Sequence, residues 1–91
     1  MAEAEVIDNA AQHRFELHAD GKVAFLNYNL HPNLIVLVHT EVPAELEGRG
    51  MGGKLARAAL ESARARGLKV KAPCPFVRSY IQRHPEYSDL L

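Results

Sequence analysis

Three features of the sequence predict an α+β fold, a mixed and mainly antiparallel sheet with one long helix and one short C-terminal helix. Apolar and polar residues alternate early in the chain, a β-branched apolar run Leu34 to Val38 follows, and an apolar pattern of helical period occupies residues 51 to 63. The 91 residues are expected to form one domain, 1–91, with its core at about 13–87.

Taken in order, "HRFELHAD" sets Phe15 and Leu17 against Arg14, Glu16 and His18, as a half-buried strand does. Asp20-Gly21 reads as a hairpin turn into a second strand from about Lys22 to Asn29. His31-Pro32-Asn33 breaks the chain, and "LIVLVHTEV" follows as a central strand from Leu34 to Val42. After Pro43, the apolar positions Met51, Leu55, Ala56, Ala59, Leu60 and Ala63 mark one face of a helix from Met51 to Arg66. Gly67 is placed to cap it, and Arg64 and Arg66 suit its negative end. Leu68 to Ala72 is a short strand parallel to the central one, ended by Pro73. Pro75 fits the first turn of a short helix, Phe76 to Arg83, which His84-Pro85 stops. Residues 1 to 5 and 88 to 91 are expected to fray.

Net charge is formally zero, which argues against a nucleic-acid partner, but the charges are divided along the chain. Residues 1 to 47 hold two basic and eight acidic side chains, whereas residues 48 to 83 hold nine basic ones against Glu61 alone. A single cysteine, Cys74, excludes an internal disulfide. The acidic start "MAEAEVIDNAAQ" is unlike a secretory leader, so the expected location is cytoplasmic. The longest purely apolar run is five residues, far from the roughly 20 that a membrane helix needs, so no membrane association is expected. The histidines show no metal-ligand spacing, and no metal is expected.

Chemistry is concentrated in "EGRGMGGKLARAA", where Gly48, Gly50, Gly52 and Gly53 run into a helix at the start of the basic half. Glycines let several N–H groups converge, and the helix N-terminus adds a partial positive charge, so together they suit an anion. A capped helix with a flexible glycine turn and no ligand would need fewer glycines. The pattern Gly48-x-Gly50-x-x-Gly53 matches a dinucleotide fingerprint only formally. No strand runs directly into it, and the acidic ribose ligand expected about 20 residues later is absent. Gly48-x-x-x-x-Gly53-Lys54 approaches a P-loop, but Leu55 replaces the hydroxyl that holds Mg²⁺.

The same loop, read as Glu47-Gly48-Arg49-Gly50-Met51-Gly52 between a central strand and a helix, resembles the motif Gln/Arg-x-x-Gly-x-Gly/Ala of the GCN5-related N-acetyltransferases. The strand end His39-Thr40-Glu41-Val42 and Cys74-Pro75 after the next strand resemble a small subfamily of about this chain's length, which lacks the helices that wall the acceptor site in larger members. The resemblance runs from Arg14 to Tyr87 and departs from the motif at Glu47, whose side chain is expected to face solvent.

The resemblance implies acetyl-CoA as acyl donor and an unidentified amine, small molecule or protein, as acceptor. The loop amides from Arg49 to Lys54, with Gly48, Gly50, Met51, Gly52 and Gly53 among the cofactor-binding residues, would hold the pyrophosphate. Val42 would pair with the pantetheine arm, and a side chain at Gly50 would fill space the phosphates need. Candidate catalytic residues are Cys74, His39, Glu41 and Tyr80. His39 and Glu41 alternate onto one strand face and could take an amine proton, and Tyr80 is the nearest tyrosine to the position of a general acid. Cys74 could be a buried structural thiol, a polar contact for the leaving thiolate, or a nucleophile. Direct attack by the amine is the expected mechanism. The alternative is a non-catalytic acyl-CoA-binding or protein-interaction module on the same fold.

Overall fold

The computed structural model describes residues 5–91. Five strands run in sheet order β1-β2-β3-β4-β5: β1 (Ile7–Asn9), β2 (Arg14–Ala19), β3 (Lys22–His31), β4 (Leu34–Glu41) and β5 (Lys69–Lys71). The first four pair antiparallel, and β4 pairs β5 in parallel. Helix α1 (Met51–Ala65) makes the crossover between β4 and β5, and α2 (Pro75–Arg83) follows β5. The expected architecture is the observed one, with β1 added. Its three residues offer one apolar side chain and no alternation, so only pairing with β2 makes them a strand.

Local chemistry explains the connections. Asp20 and Gly21 both have positive φ, 53° and 72°, the two-residue turn that matches strand twist. Gly67, at φ 67°, ends α1; its N–H and that of Leu68 bond to the carbonyls of Arg64 and Ala63. Pro75 occupies the first turn of α2, where a missing N–H costs nothing.

The core lies between one sheet face and the helices. Leu17, Leu26, Ile35 and Leu37 meet Leu55, Ala56, Ala59, Leu60 and Ala63, all fully buried. All six helix positions expected to be apolar and inward are buried. Of residues 1 to 5, expected to fray, all but Glu5 lie outside the described residues. At the other end, the expected fraying of 88 to 91 is corrected. A 3-10 segment, Pro85–Leu90, buries Tyr87 and Leu90, and Arg64 holds Asp89 through two hydrogen bonds of 3.0 Å. Short polar tails look dispensable in sequence, whereas here two apolar anchors and a guanidinium fix the segment on α1.

The opposite sheet face carries Glu16, Phe25 and Glu41 in one cross-strand row. Glu16 is buried beneath its polar neighbours: His18 Nε2 lies 2.9 Å from Oε1, while Arg14 Nε (2.6 Å) and Asn9 Nδ2 (3.0 Å) donate to Oε2. The hydrogen bonds from His18 and Arg14 outweigh burial and hold its pKa at about 2, below the ordinary 4.5. A carboxylate with a depressed folded-state pKa stabilises the fold above its unfolded value and loses that contribution as pH falls from about 4.5 through about 2. Urea unfolding should therefore find Glu16→Gln less stable than wild type at pH 7, with the difference shrinking as pH drops below 4.5. A difference that does not vary with pH would refute this account.

Candidate functional site

A bulge decides which residues of β4 meet the cleft. Asn27 pairs with His39 and Tyr28 with Leu37, so Val38 is an extra residue on β4. Pairing of β4 with β5 stops at Val36–Lys71, and the N–H of Cys74 makes the last link, 3.4 Å to the Leu37 carbonyl. Beyond that point β4 continues to Glu41, while Pro73 ends β5's run. The two strands are parallel, as expected.

A cleft of about 320 Å³ lies between the C-terminal end of β4, the start of α1 and Phe76 of α2. Thr40 and Val42 form its β4 wall; Gly48, Gly50, Met51, Gly52 and Gly53 form its rim; Leu46 and Phe76 complete it, with Glu47 at the edge. Gly48 and Gly50 have φ of 85° and 74°, a region costly for other residues, and they turn the chain into α1. Helix geometry leaves the N–H groups of Gly50, Met51, Gly52 and Gly53 without intrahelical acceptors beside the cleft, whereas that of Lys54 already bonds the Gly50 carbonyl at 3.1 Å. Gly52 is glycine for a second reason: a Cβ there would lie 2.6 Å from Phe76 Cζ. The loop is tied to the β2–β3 turn by Arg49–Asp20 (2.8 Å) and Glu45–Lys22 (3.4 Å).

Six of the eight predicted cofactor-binding residues line the cleft; Arg49 and Lys54 do not. Arg49 reaches the hairpin instead, and Lys54 is exposed one turn into α1. The expected catalytic residues separate more sharply. His39 and Glu41 are exposed on the far sheet face, 3.4 Å from each other, with His39 edge-on to Phe25. Tyr80 is buried in α2 and stacked on His84, centroids 4.1 Å apart. Its ring lies behind Gly53, where a Cβ would meet Tyr80 Cε2 at 3.7 Å, and Cys74 is buried behind Thr40, with Sγ 3.5 Å from Thr40 Oγ1. Burial pushes its thiol pKa up. Hydrogen bonds from Thr40 and from the backbone N–H groups of Val77 and Phe76 outweigh that and bring it below the ordinary value.

The sequence reading missed Thr40, Leu46 and Phe76 as cleft residues. Thr40 was legible as lying on the face opposite His39, but nothing marked that face as the cleft side. Among the described residues, no group of three or more His, Cys, Asp or Glu side chains could hold a metal ion, and no helix is long and apolar enough to cross a membrane.

A search of solved structures finds a GCN5-like protein from Staphylococcus aureus, determined by NMR in solution. The similarity covers 99% of this chain and 89% of that one, with a TM-score of 0.75 and 31% identity. Among curated proteins, Protein NATD1 of chicken (Gallus gallus) and of mouse (Mus musculus) each match at 36% identity over 52 residues, 57% of this chain. The match spans 47% of the length of those two relatives. A family model described as GCN5-related N-acetyl-transferase matches residues 14–90. Nearly the whole described fold, including the bulged strand, the glycine loop and both helices, falls within that match, and the chain belongs to the GCN5-related N-acetyltransferase family.

Proposed function

We propose that this protein transfers an acetyl group from acetyl-CoA to an amine. The observation that carries the reading is a cleft lined together by the end of β4 and by a glycine loop at the start of α1, just beyond the point where β4 stops pairing with β5. The amides of Gly50, Met51, Gly52 and Gly53 offer a pyrophosphate several donors at the positive end of α1. The wall of Val42, Leu46, Met51 and Phe76 suits an apolar arm, and the unpaired edge of β4 near Val42 offers it backbone hydrogen bonds. A neutral amine attacks the thioester carbonyl, the C–N bond forms, the C–S bond breaks and the thiolate leaves, while the proton shed by the nitrogen passes to water and replaces the one the thiolate takes up. The N–H groups at the end of β4 are donors for the carbonyl oxygen, and the Thr40–Cys74 pair is a polar contact and proton source for the thiolate.

The second reading, an acyl-CoA-binding or protein-interaction module without turnover, has its own support. Among the described residues that line the cleft, Glu47 is the only one with a titratable side chain, and His39 and Glu41 lie on the other face. One experiment separates the two. Acetyl-CoA is titrated calorimetrically, and thiol release is then followed with a panel of small amines and lysine peptides. Amine-dependent release supports transfer; binding with no release across the panel supports the module; no binding ends both. Intact mass after incubation with acetyl-CoA alone tests covalent participation. Direct attack predicts no gain of an acetyl group, and a gain absent in Cys74→Ala would replace it by an acetyl-enzyme route.

A further inference from the structure

We propose that Thr40 and Cys74 form the end wall that limits the acyl group to acetyl size. This rests on the donor reading above and adds to it which acyl-CoA the cleft accepts. The glycine loop and the Thr40–Val42 end of β4 line the same cleft, so a donor held by its phosphates at the loop runs its acyl end along β4. Following β4 inward from Val42, Thr40 is the last residue that lines the cleft.

Behind Thr40 the space is closed. Cys74 Sγ lies 3.5 Å from Thr40 Oγ1, and the Cys74 N–H is bonded to the Leu37 carbonyl. Cys74 is 3% exposed, and Leu37 and Val77 are fully buried. A carbon atom needs about 3.5 to 4.0 Å to each neighbour, so none fits between two atoms already in contact. Each further methylene on the acyl chain must therefore displace Thr40 or lift the donor from its amides.

The test compares CoA, acetyl-CoA, propionyl-CoA and butyryl-CoA by calorimetry on wild type, Thr40→Ala, Thr40→Val and Cys74→Gly. Wild type should prefer acetyl-CoA to butyryl-CoA by about 10-fold or more, since one methylene in a closed pocket is worth roughly 10 to 200-fold. Thr40→Ala, at a half-exposed position where folding is not at stake, should reduce that preference about 10-fold. Thr40→Val keeps the side-chain shape without the hydroxyl and should keep the preference, which separates volume from hydrogen bonding. Cys74→Gly should relax it further if the variant folds. Equal wild-type affinity for acetyl-CoA and butyryl-CoA, or an unchanged ratio in Thr40→Ala, overturns the end wall while leaving the donor site standing. Absence of binding by CoA itself removes the donor reading and the end wall with it.

Discussion

Gly52→Ala should lower acetyl-CoA affinity by about 100-fold, roughly the 2.7 kcal/mol of two decades in binding, while hardly changing thermal stability. The alanine Cβ would lie 2.6 Å from Phe76 Cζ and 3.0 and 3.2 Å from its Cε atoms, so the ring must move. It can do so because the contact is with the far end of a side chain that is 40% exposed. Folding loses that contact but gains about 0.5–1 kcal/mol from replacing glycine inside a helix. Phe76 lines the cleft, so displacing its ring reshapes the cleft and the cost appears in binding. Adding Phe76→Ala to Gly52→Ala should recover affinity to within about 10-fold of Phe76→Ala alone, the non-additivity expected of residues in contact. Wild-type affinity in Gly52→Ala would mean that the ring has room outside the cleft or that the donor does not enter there. Gly50 works differently. A Cβ there meets no protein atom within 4 Å and Gly50 lines the cleft, so a valine would combine strain at φ 74° with a side chain in space open to a ligand.

The contrast between these two glycines shows what a sequence can and cannot convey. Each is visible as a position where side chains are refused, but the reason is visible only with Phe76 in place, 24 residues further on. Local signals carried most of the architecture. Phe15 and Leu17 alternate with polar neighbours, Asp20-Gly21 takes positive φ at both residues, and the helical period of residues 51 to 63 puts every expected position inside. Signals that depend on partners did not. Ile7–Asn9 becomes a strand only against β2, and Pro85–Leu90 is ordered only because α1 presents Arg64 and Glu61 to it.

The active-face question turned on one residue. Strict alternation from Ile35 and Leu37 puts His39 and Glu41 on the core side, where a base could reach the cleft. The bulge at Val38 shifts the phase by one, so Thr40 and Val42 take the inner face and His39 and Glu41 the outer. Nothing in "LIVLVHTEV" announces a bulge, since Val38 is as β-branched and apolar as its neighbours. The bulge that turns Thr40 into the cleft therefore also removes the two expected bases from it.

Truncation after His84 should leave the chain largely unfolded at 37 °C. Tyr87 and Leu90 are 5% and 6% exposed against α1 and its surroundings, and Tyr87 Oη donates to Glu61 Oε2 at 2.6 Å. That bond, with burial, raises the Tyr87 pKa to about 12, as expected of a phenol held neutral against a carboxylate. Lys69 Nζ reaches the Asp89 carbonyl at 3.0 Å, so the segment also ties to the edge strand β5. Losing a buried aromatic costs about 3–5 kcal/mol and a buried leucine about 2–5, while a domain of this size holds only about 5–14 in total. Circular dichroism should show the thermal midpoint falling by more than about 10 °C, at about 4–8 °C per kcal/mol for a chain of this length. Tyr87→Ala alone should give much of that fall. Asp89→Asn should give little of it, because the Arg64–Asp89 pair is exposed and screened by solvent. A truncated chain that melts within about 3 °C of the full one, less than 1 kcal/mol on that scale, would show the segment to be peripheral and would return residues 85 to 91 to the frayed end that the sequence suggested.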